Sequence, residues 1–342
     1  MKRLLSCGFP RSLALATAVT LAACGGEPPP QAPVLTADPP APPATATTTA
    51  DDGAAQTEIE RGVAYVKNEK FAEAKEHFKK ALAIKPTPAA WTYLGVTAEK
   101  TGDRPGAEDA YKNALKLDGG FTEAAENLSA LYLDEPARPD EAIAVLKAAL
   151  EKAKDSGSLL QNLAFAYGLK GDVESASKAY EAALAKGEDA RIRFAYGTML
   201  YEKKQPEKAA VQLKKAVDAA KDDAALLATV GRLLGATKAF GDCVKAFDKA
   251  IGIKSNEPEF FVRRGTCKHE LKDEDGAQKD YEAAIQADPK FAAGHYYLGL
   301  SLLSQNKRVF ATRALEKAAT YGKDSPIGKS AKDKLIELSK KK

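Results

Sequence analysis

The chain has 342 residues, with 51 Lys plus Arg against 47 Asp plus Glu, and is 44% hydrophobic and 29% charged. A net charge of +4 argues against a nucleic-acid binder, four Cys exclude a disulfide-framework fold, and three His leave little material for a histidine-based metal centre. The length fits two ordinary domains or one elongated array, and nothing in the composition points to an enzyme.

Residues 1–23 read as an export signal. Lys2, Arg3 and Arg11 carry positive charge, and the apolar run from Ser12 to Leu21 is too short to cross a bilayer, which takes about 20 apolar residues. The run ends Leu21-Ala22-Ala23-Cys24, which resembles the lipobox of bacterial lipoproteins. That resemblance implies a diacylglyceryl group on Cys24, cleavage before it and acylation of the new N-terminus; an ordinary signal peptide with a coincidental Cys is the other reading. Several acyl chains, at about 0.8 kcal/mol per buried methylene, make a stable membrane anchor. Gly25 stands where the family's inner-membrane retention signal has Asp, so the resemblance implies a lipid-anchored protein of the bacterial outer membrane, facing the periplasm. Nearly all of the positive excess leaves with the signal.

Residues 24–55 read as the lipidated Cys and a disordered Pro/Thr/Ala-rich linker. Eight of the chain's 18 Pro lie here, with Glu27, Asp38, Asp51 and Asp52 and no Lys or Arg. Such a segment buries too little apolar area to fold and serves as a tether, or as a proline motif for a partner.

Residues 56–324 repeat themselves eight times. Small residues recur at Gly62, Gly95, Ser129, Ala164, Gly197, Gly231, Gly265 and Gly299, at spacings of 33 to 35. A second ladder runs Ala74, Ala107, Ala142, Ala176, Ala209, Cys243, Ala277 and Ala311. Four residues after each stands a large apolar side chain: Phe78, Tyr111, Leu146, Tyr180, Leu213, Phe247, Tyr281 or Leu315. Three further on comes an unbroken Ala series, from Ala81 to Ala318. The pattern resembles the tetratricopeptide repeat, whose period is 34 residues. The resemblance implies an all-α fold, a right-handed superhelical solenoid of about eight helix pairs, in which a small residue of each first helix faces an Ala of the second.

Three departures stand out. Repeat three carries an extra residue between Asp134 and Asp140, with Pro136 and Pro139, so its turn is expected to protrude. Arg61 and Arg264 replace the Leu of Leu94, Leu128, Leu163 and Leu298; each is either a ligand-facing charge or a packed stem paired with an acid. Residues 325–342 form an amphipathic capping helix with a basic tail, its Ile327, Ala331, Leu335 and Leu338 on one face; a helix lying on a membrane is the rival.

No metal-ligand spacing joins His77, His269 and His295, and no catalytic or phosphate-binding motif is present. Carboxylates such as Glu73 and Glu76 alternate with Lys75 and Lys79, which reads as a solvated face. The expectation is therefore no catalysis, no cofactor, no metal and no nucleic acid. Cys243 and Cys267 fall by register on the second helix of repeat six and the first of repeat seven; either they bridge in an oxidising compartment or they are two small buried thiols.

In the resembled family the first helices line a concave groove that takes peptides or partner helices. Register places Tyr93, Asn127, Asn162, Phe165, Phe194, Tyr201, Arg232, Arg263 and Tyr297 there. Asn can donate to and accept from a peptide backbone, aromatics supply contact area, and Arg pairs with carboxylates. The reading is a membrane-anchored scaffold or adaptor for a protein or peptide partner, assisting a cell-envelope assembly such as a pilus or secretion system. The alternatives are a regulatory subunit of a cell-wall enzyme and a self-associating structural lipoprotein, a homo-oligomer.

Overall fold

The computed structural model describes residues 50–134 and 136–340, and among these every regular element is an α-helix. The export signal, Cys24 and most of the linker lie outside the described residues, as do the last two of the basic tail. The described residues divide into two compact units, 50–188 and 189–340.

The first unit holds four helical hairpins: α1 (Ala50–Lys67) with α2 (Phe71–Ile84), α3 (Pro88–Lys100) with α4 (Arg104–Leu117), α5 (Thr122–Leu133) with α6 (Pro139–Lys152), and α7 (Gly157–Lys170) with α8 (Val173–Lys186). The second holds four more: α9 (Ala190–Glu202) with α10 (Pro206–Ala219), α11 (Ala224–Ala236) with α12 (Phe240–Ile253), α13 (Pro258–Glu270) with α14 (Glu274–Ala287), and α15 (Ala292–Ser304) with α16 (Arg308–Gly322). A last helix, α17 (Pro326–Lys340), packs Ala331, Leu335 and Leu338 against Leu315 and Ala318 of α16. The eight expected helix pairs and the terminal helix are all present.

The start of the array differs from the expected boundary. Residues 50–55, placed above in the linker, are the first turns of α1. Ala55 is buried, and Asp52 accepts a hydrogen bond from Lys85 beyond the end of α2. Asp51 and Asp52 suit a helix N-terminus, where backbone N–H groups are unpaired. Their Ala- and Asp-rich composition disguised the helix as linker.

Each hairpin closes on the ladders. The residues of the two Ala ladders and the large side chains between them are all at most 2% exposed. Contact is closest at the small residue: a Cβ added to Gly95 would stand 2.5 Å from Cε1 of Tyr111. The ring lies where a side chain would otherwise be, and burying such a ring stabilises by about 1.5–3 kcal/mol. N-caps set the starts of many helices; Asp103, Asp172, Asp223 and Asp273 each accept from the backbone N–H three residues on, at 3.0 Å.

The turns within the hairpins share a backbone device that residue types only partly disclose. Glu69, Gly102, Gly171, Lys204, Lys238, Lys272 and Asn306 occupy one position, the seventh after the small residue, and all have left-handed φ of 58° to 89°. In these seven hairpins an N–H bonds back to the carbonyl five residues earlier at 2.9–3.0 Å, as in Asp103 to Ala98 and Lys238's neighbour Ala239 to Leu234. Repeat three has Pro136 at that position, and a proline ring fixes φ near −65°. The chain there takes its extra residue, and the closing bond, Arg138 N–H to Tyr132 O at 2.6 Å, spans six residues.

Pro136 and Ala137 in that turn are exposed, and its flanks are tied to α4. Arg104 on α4 donates to the Asp134 carboxylate and to the Leu131 carbonyl (2.8 Å). Arg138 donates to Glu108 at 2.7 Å with its guanidinium 4.2 Å over the Tyr132 ring. Two arginines thus pin the turn to α4.

Candidate partner-binding faces

The residues expected in the groove share registers on the first helices, and chemistry sorts them. Tyr93, Asn127, Asn162, Arg263 and Tyr297 each stand two residues before the small residue of their hairpin. Tyr93 stacks on Phe78 of the preceding hairpin, centroids 5.3 Å apart, and Tyr297 stacks on Tyr281 at 5.7 Å. Both tyrosines therefore serve the contact between hairpins. Burial pushes the Tyr93 hydroxyl up to about 12, with the charge of Glu123 adding to the effect.

Asn127 on α5 and Asn162 on α7 cannot stack in this way. They are 6% and 4% exposed, and among the described residues neither side chain makes a hydrogen bond. Nor are their amide atoms among those sealed from solvent without a partner. Both amides thus keep a small contact with solvent. Phe165, one turn of α7 beyond Asn162, is half-buried.

Sequence reasoning passed over the groups beside these asparagines. Glu126 is 7% exposed, and its carboxylate accepts a hydrogen bond from the Ser158 hydroxyl of α7. Burial raises its pKa, the Ser158 bond opposes the rise, and the nearby charge of Glu123 adds to it. Neither Glu123 nor Glu126 forms an ion pair among the described residues. Acids on a helical sequence read as solvated, and nothing in the spacing separates Glu126 from its exposed neighbours.

In the second unit the corresponding face is more aromatic and basic. On α9 Phe194 is buried and Tyr201 half-buried. Arg263 on α13 pairs with Glu259 at 3.2 Å, and Arg232 on α11 is half-buried with no ion pair among the described residues. Cys243 of α12 and Cys267 of α13 are joined as a disulfide, with Cα atoms 6.3 Å apart.

Arg61, Arg264 and the three histidines are engaged in packing or pairing. Arg61 bonds to Glu58 at 2.6 Å, and Arg264 is packed over Phe261 and bound to Asp280 and Asp248. His77 pairs with Glu58 at 2.7 Å, His269 with Glu274 at 2.8 Å, and His295 with the Pro289 carbonyl at 2.9 Å. Among the described residues no cluster of His, Cys, Asp or Glu could hold a metal, and no helix is long and apolar enough to cross a membrane. A shallow cavity of about 370 Å³ lies at the pinned turn, lined by Arg104, Pro105, Glu108, Asp109, Leu131 and Arg138, whose charges are largely paired with each other.

Comparison with known proteins places the fold. The family model for the tetratricopeptide repeat matches residues 59–120, 94–158, 163–224 and 273–326. An E3 ubiquitin-protein ligase, CHIP, of Arabidopsis thaliana is 32% identical over 104 residues, 30% of this chain and 37% of that protein. A small glutamine-rich tetratricopeptide repeat-containing protein of Mycosarcoma maydis is 31% identical over 80 residues, 23% of each chain. The chain thus spans little more than a third of these relatives at most. Among solved structures, the C-terminal part of a repeat-containing protein from Cytophaga hutchinsonii aligns over 80% of this chain and 98% of its own, at 15% identity and a TM-score of 0.53, a likeness of fold.

Proposed function

Since the chain belongs to the tetratricopeptide-repeat family, we propose that it is a non-catalytic scaffold that holds a peptide or partner protein against the first helices of its hairpins. One observation carries this reading: Asn127 and Asn162, in the same register of successive first helices, are more than nine-tenths buried and have no hydrogen-bond partner among the described residues. Amides neither sealed from solvent nor bonded within the fold keep their donors and acceptors available to a ligand. An extended peptide backbone satisfies both amides at once.

The scaffold works from a membrane. The lipobox-like Leu21-Ala22-Ala23-Cys24 supports lipidation of Cys24, and the Cys243–Cys267 disulfide fits an oxidising compartment outside the cytoplasm. Anchored at the outer membrane and facing the periplasm, the array would raise the effective concentration of its partner near an envelope assembly such as a pilus or secretion apparatus. The test has two arms. Cys24→Ala should move the protein from the membrane fraction to the soluble one; full retention sinks the anchor. The Asn127→Ala, Asn162→Ala double variant should lose the partner captured by crosslinking from native membranes, with its melting temperature unchanged or raised. Undiminished capture sinks the groove.

A second reading has its own observation. Val309, Phe310 and Ile336 of α16 and α17 are 65%, 61% and 53% exposed, which favours self-association through the C-terminal helices. Light scattering of the mature chain against a Phe310→Glu variant separates a dimer from a monomer.

A further inference from the structure

The two acids that are buried among the described residues are handled in opposite ways. Asp280 is 3% exposed and is met by two cations, Arg264 at 2.6 Å and Lys268 at 3.0 Å. Glu126 is 7% exposed and is met by one hydroxyl, that of Ser158. A carboxylate is rarely taken so far out of water without a cation, because the desolvation cost is not returned. Glu123 lies one turn earlier on α5, close enough to raise the pKa of Glu126 through its charge, so the site holds two like charges with no counter-ion. Bases are scarce nearby: α3, α5 and α7 together carry only Lys100 and Lys170, both in last turns, and Lys170 is bound to Asp140 at 2.7 Å.

Beside this deficit stand the two asparagines. Asn127 follows Glu126 directly in α5, and Asn162 lies one turn beyond Ser158 in α7, the residue that bonds Glu126. The helices α3, α5 and α7 neighbour one another within the first unit, and the Glu126–Ser158 bond links α5 to α7 on this face. This face offers amides with no hydrogen bond and carboxylates with no ion pair among the described residues, Glu126 accepting from Ser158 and Glu123 from Thr122 at 3.1 Å.

We infer that the first-helix face of residues 88–170 selects an extended, lysine- or arginine-bearing segment of a partner protein, a basic side chain meeting Glu126 and Glu123 while Asn127 and Asn162 hold the adjacent backbone. This rests on the peptide-binding reading above and adds to it the charge of the ligand. Charge complementarity decides the occupant: an acidic segment would bring a third and fourth negative charge to a site that has no base to receive them.

Fluorescence anisotropy on the full mature chain tests this with three labelled peptides of equal length, in which alternate positions are Lys, Glu or Ser. The Lys peptide should bind best, with an affinity that falls as salt rises. Glu126→Gln should weaken it by about tenfold or more while leaving the Ser peptide unchanged. The same variant should melt no lower than the parent, since it removes an uncompensated buried charge; a pure loss of fold would lower the melting point and all three affinities together. Equal binding of the Lys and Ser peptides, or a Lys affinity indifferent to Glu126→Gln, overturns the inference yet leaves peptide binding standing if Asn127→Ala still abolishes it. Preference for the Glu peptide overturns the inference outright. Failure of all three peptides counts against both readings.

Discussion

The guanidinium of Arg264 grips the carboxylate of Asp280 with two hydrogen bonds, Nε to Oδ2 at 2.9 Å and Nη2 to Oδ1 at 2.6 Å, across the inside of one hairpin. Sister hairpins fill the same two positions with Leu94 and Ala110, Leu163 and Ala179, and Leu298 and Ala314. Polar and apolar solutions thus occupy one slot of a common frame. Removing one partner should be far worse than removing both. Asp280→Ala is expected to cost about 3–5 kcal/mol, while Arg264→Leu with Asp280→Ala, which copies the sister hairpins, should lie within about 1 kcal/mol of the parent. Denaturant titrations of the two variants decide it; a double variant that loses as much as Asp280→Ala alone would refute the expectation.

The left-handed turn position predicts stabilising substitutions. An L-residue with a side chain pays roughly 1–2 kcal/mol to sit there, and glycine does not. Lys204→Gly, Lys238→Gly and Lys272→Gly should each raise stability by about 0.5–1 kcal/mol, less the entropy glycine gives the unfolded chain. Gly171→Ala, at a φ of 89°, should lower it by a similar amount. Melting curves of the four variants check the sign.

The bridge between α12 and α13 closes a loop with a sequence separation of 24. It should contribute about 3 kcal/mol, so reduction, or Cys267→Ala, should lower the melting temperature measurably. Thiol titration of the protein, denatured without reductant, should find neither Cys243 nor Cys267 free. Two reactive thiols would refute the bridge.

Glu108 supplies an acid-sensitive contact. Hydrogen bonds from Arg138 and Lys112 bring its pKa from 4.5 down to about 2. A depressed carboxylate stabilises fully above its unfolded pKa and loses that contribution as pH falls toward its folded value. The pinned turn should therefore weaken between about pH 5 and pH 2, by about 1–2 kcal/mol once solvent screening is allowed for. Glu108→Gln should flatten that limb of the stability curve, and hydrogen exchange at Tyr132 and Arg138 reports it locally.

Periodicity disclosed the hairpins because their packing depends on residue size, and size repeats visibly: Gly95 against Tyr111 and Gly265 against Tyr281 are legible as letters. The backbone conformation shared by Glu69 and Lys238 with Gly171 is not, since two of the seven positions alone carry the glycine that would announce it. The candidate site divides along the same line. Asn127 and Asn162 share with Tyr93, Arg263 and Tyr297 a register of mixed polarity, in which Tyr93 and Tyr297 are drawn into rings of the preceding hairpin and the asparagines are not. Glu126 and Asp280 look like any surface acids, because burial of a carboxylate is a property of neighbours up to 32 positions away, Ser158 for the first and Arg264 for the second.

The Cys243–Cys267 bond also bears on mechanics. It crosses from one hairpin to the next, so when the chain is drawn out from its ends the intervening residues cannot add their contour length. Extended, they would span about 80 Å; bridged, their ends stay 6.3 Å apart at Cα. A force trace should show the second unit giving way in fewer, larger steps than the first, with that length missing until a reductant restores it.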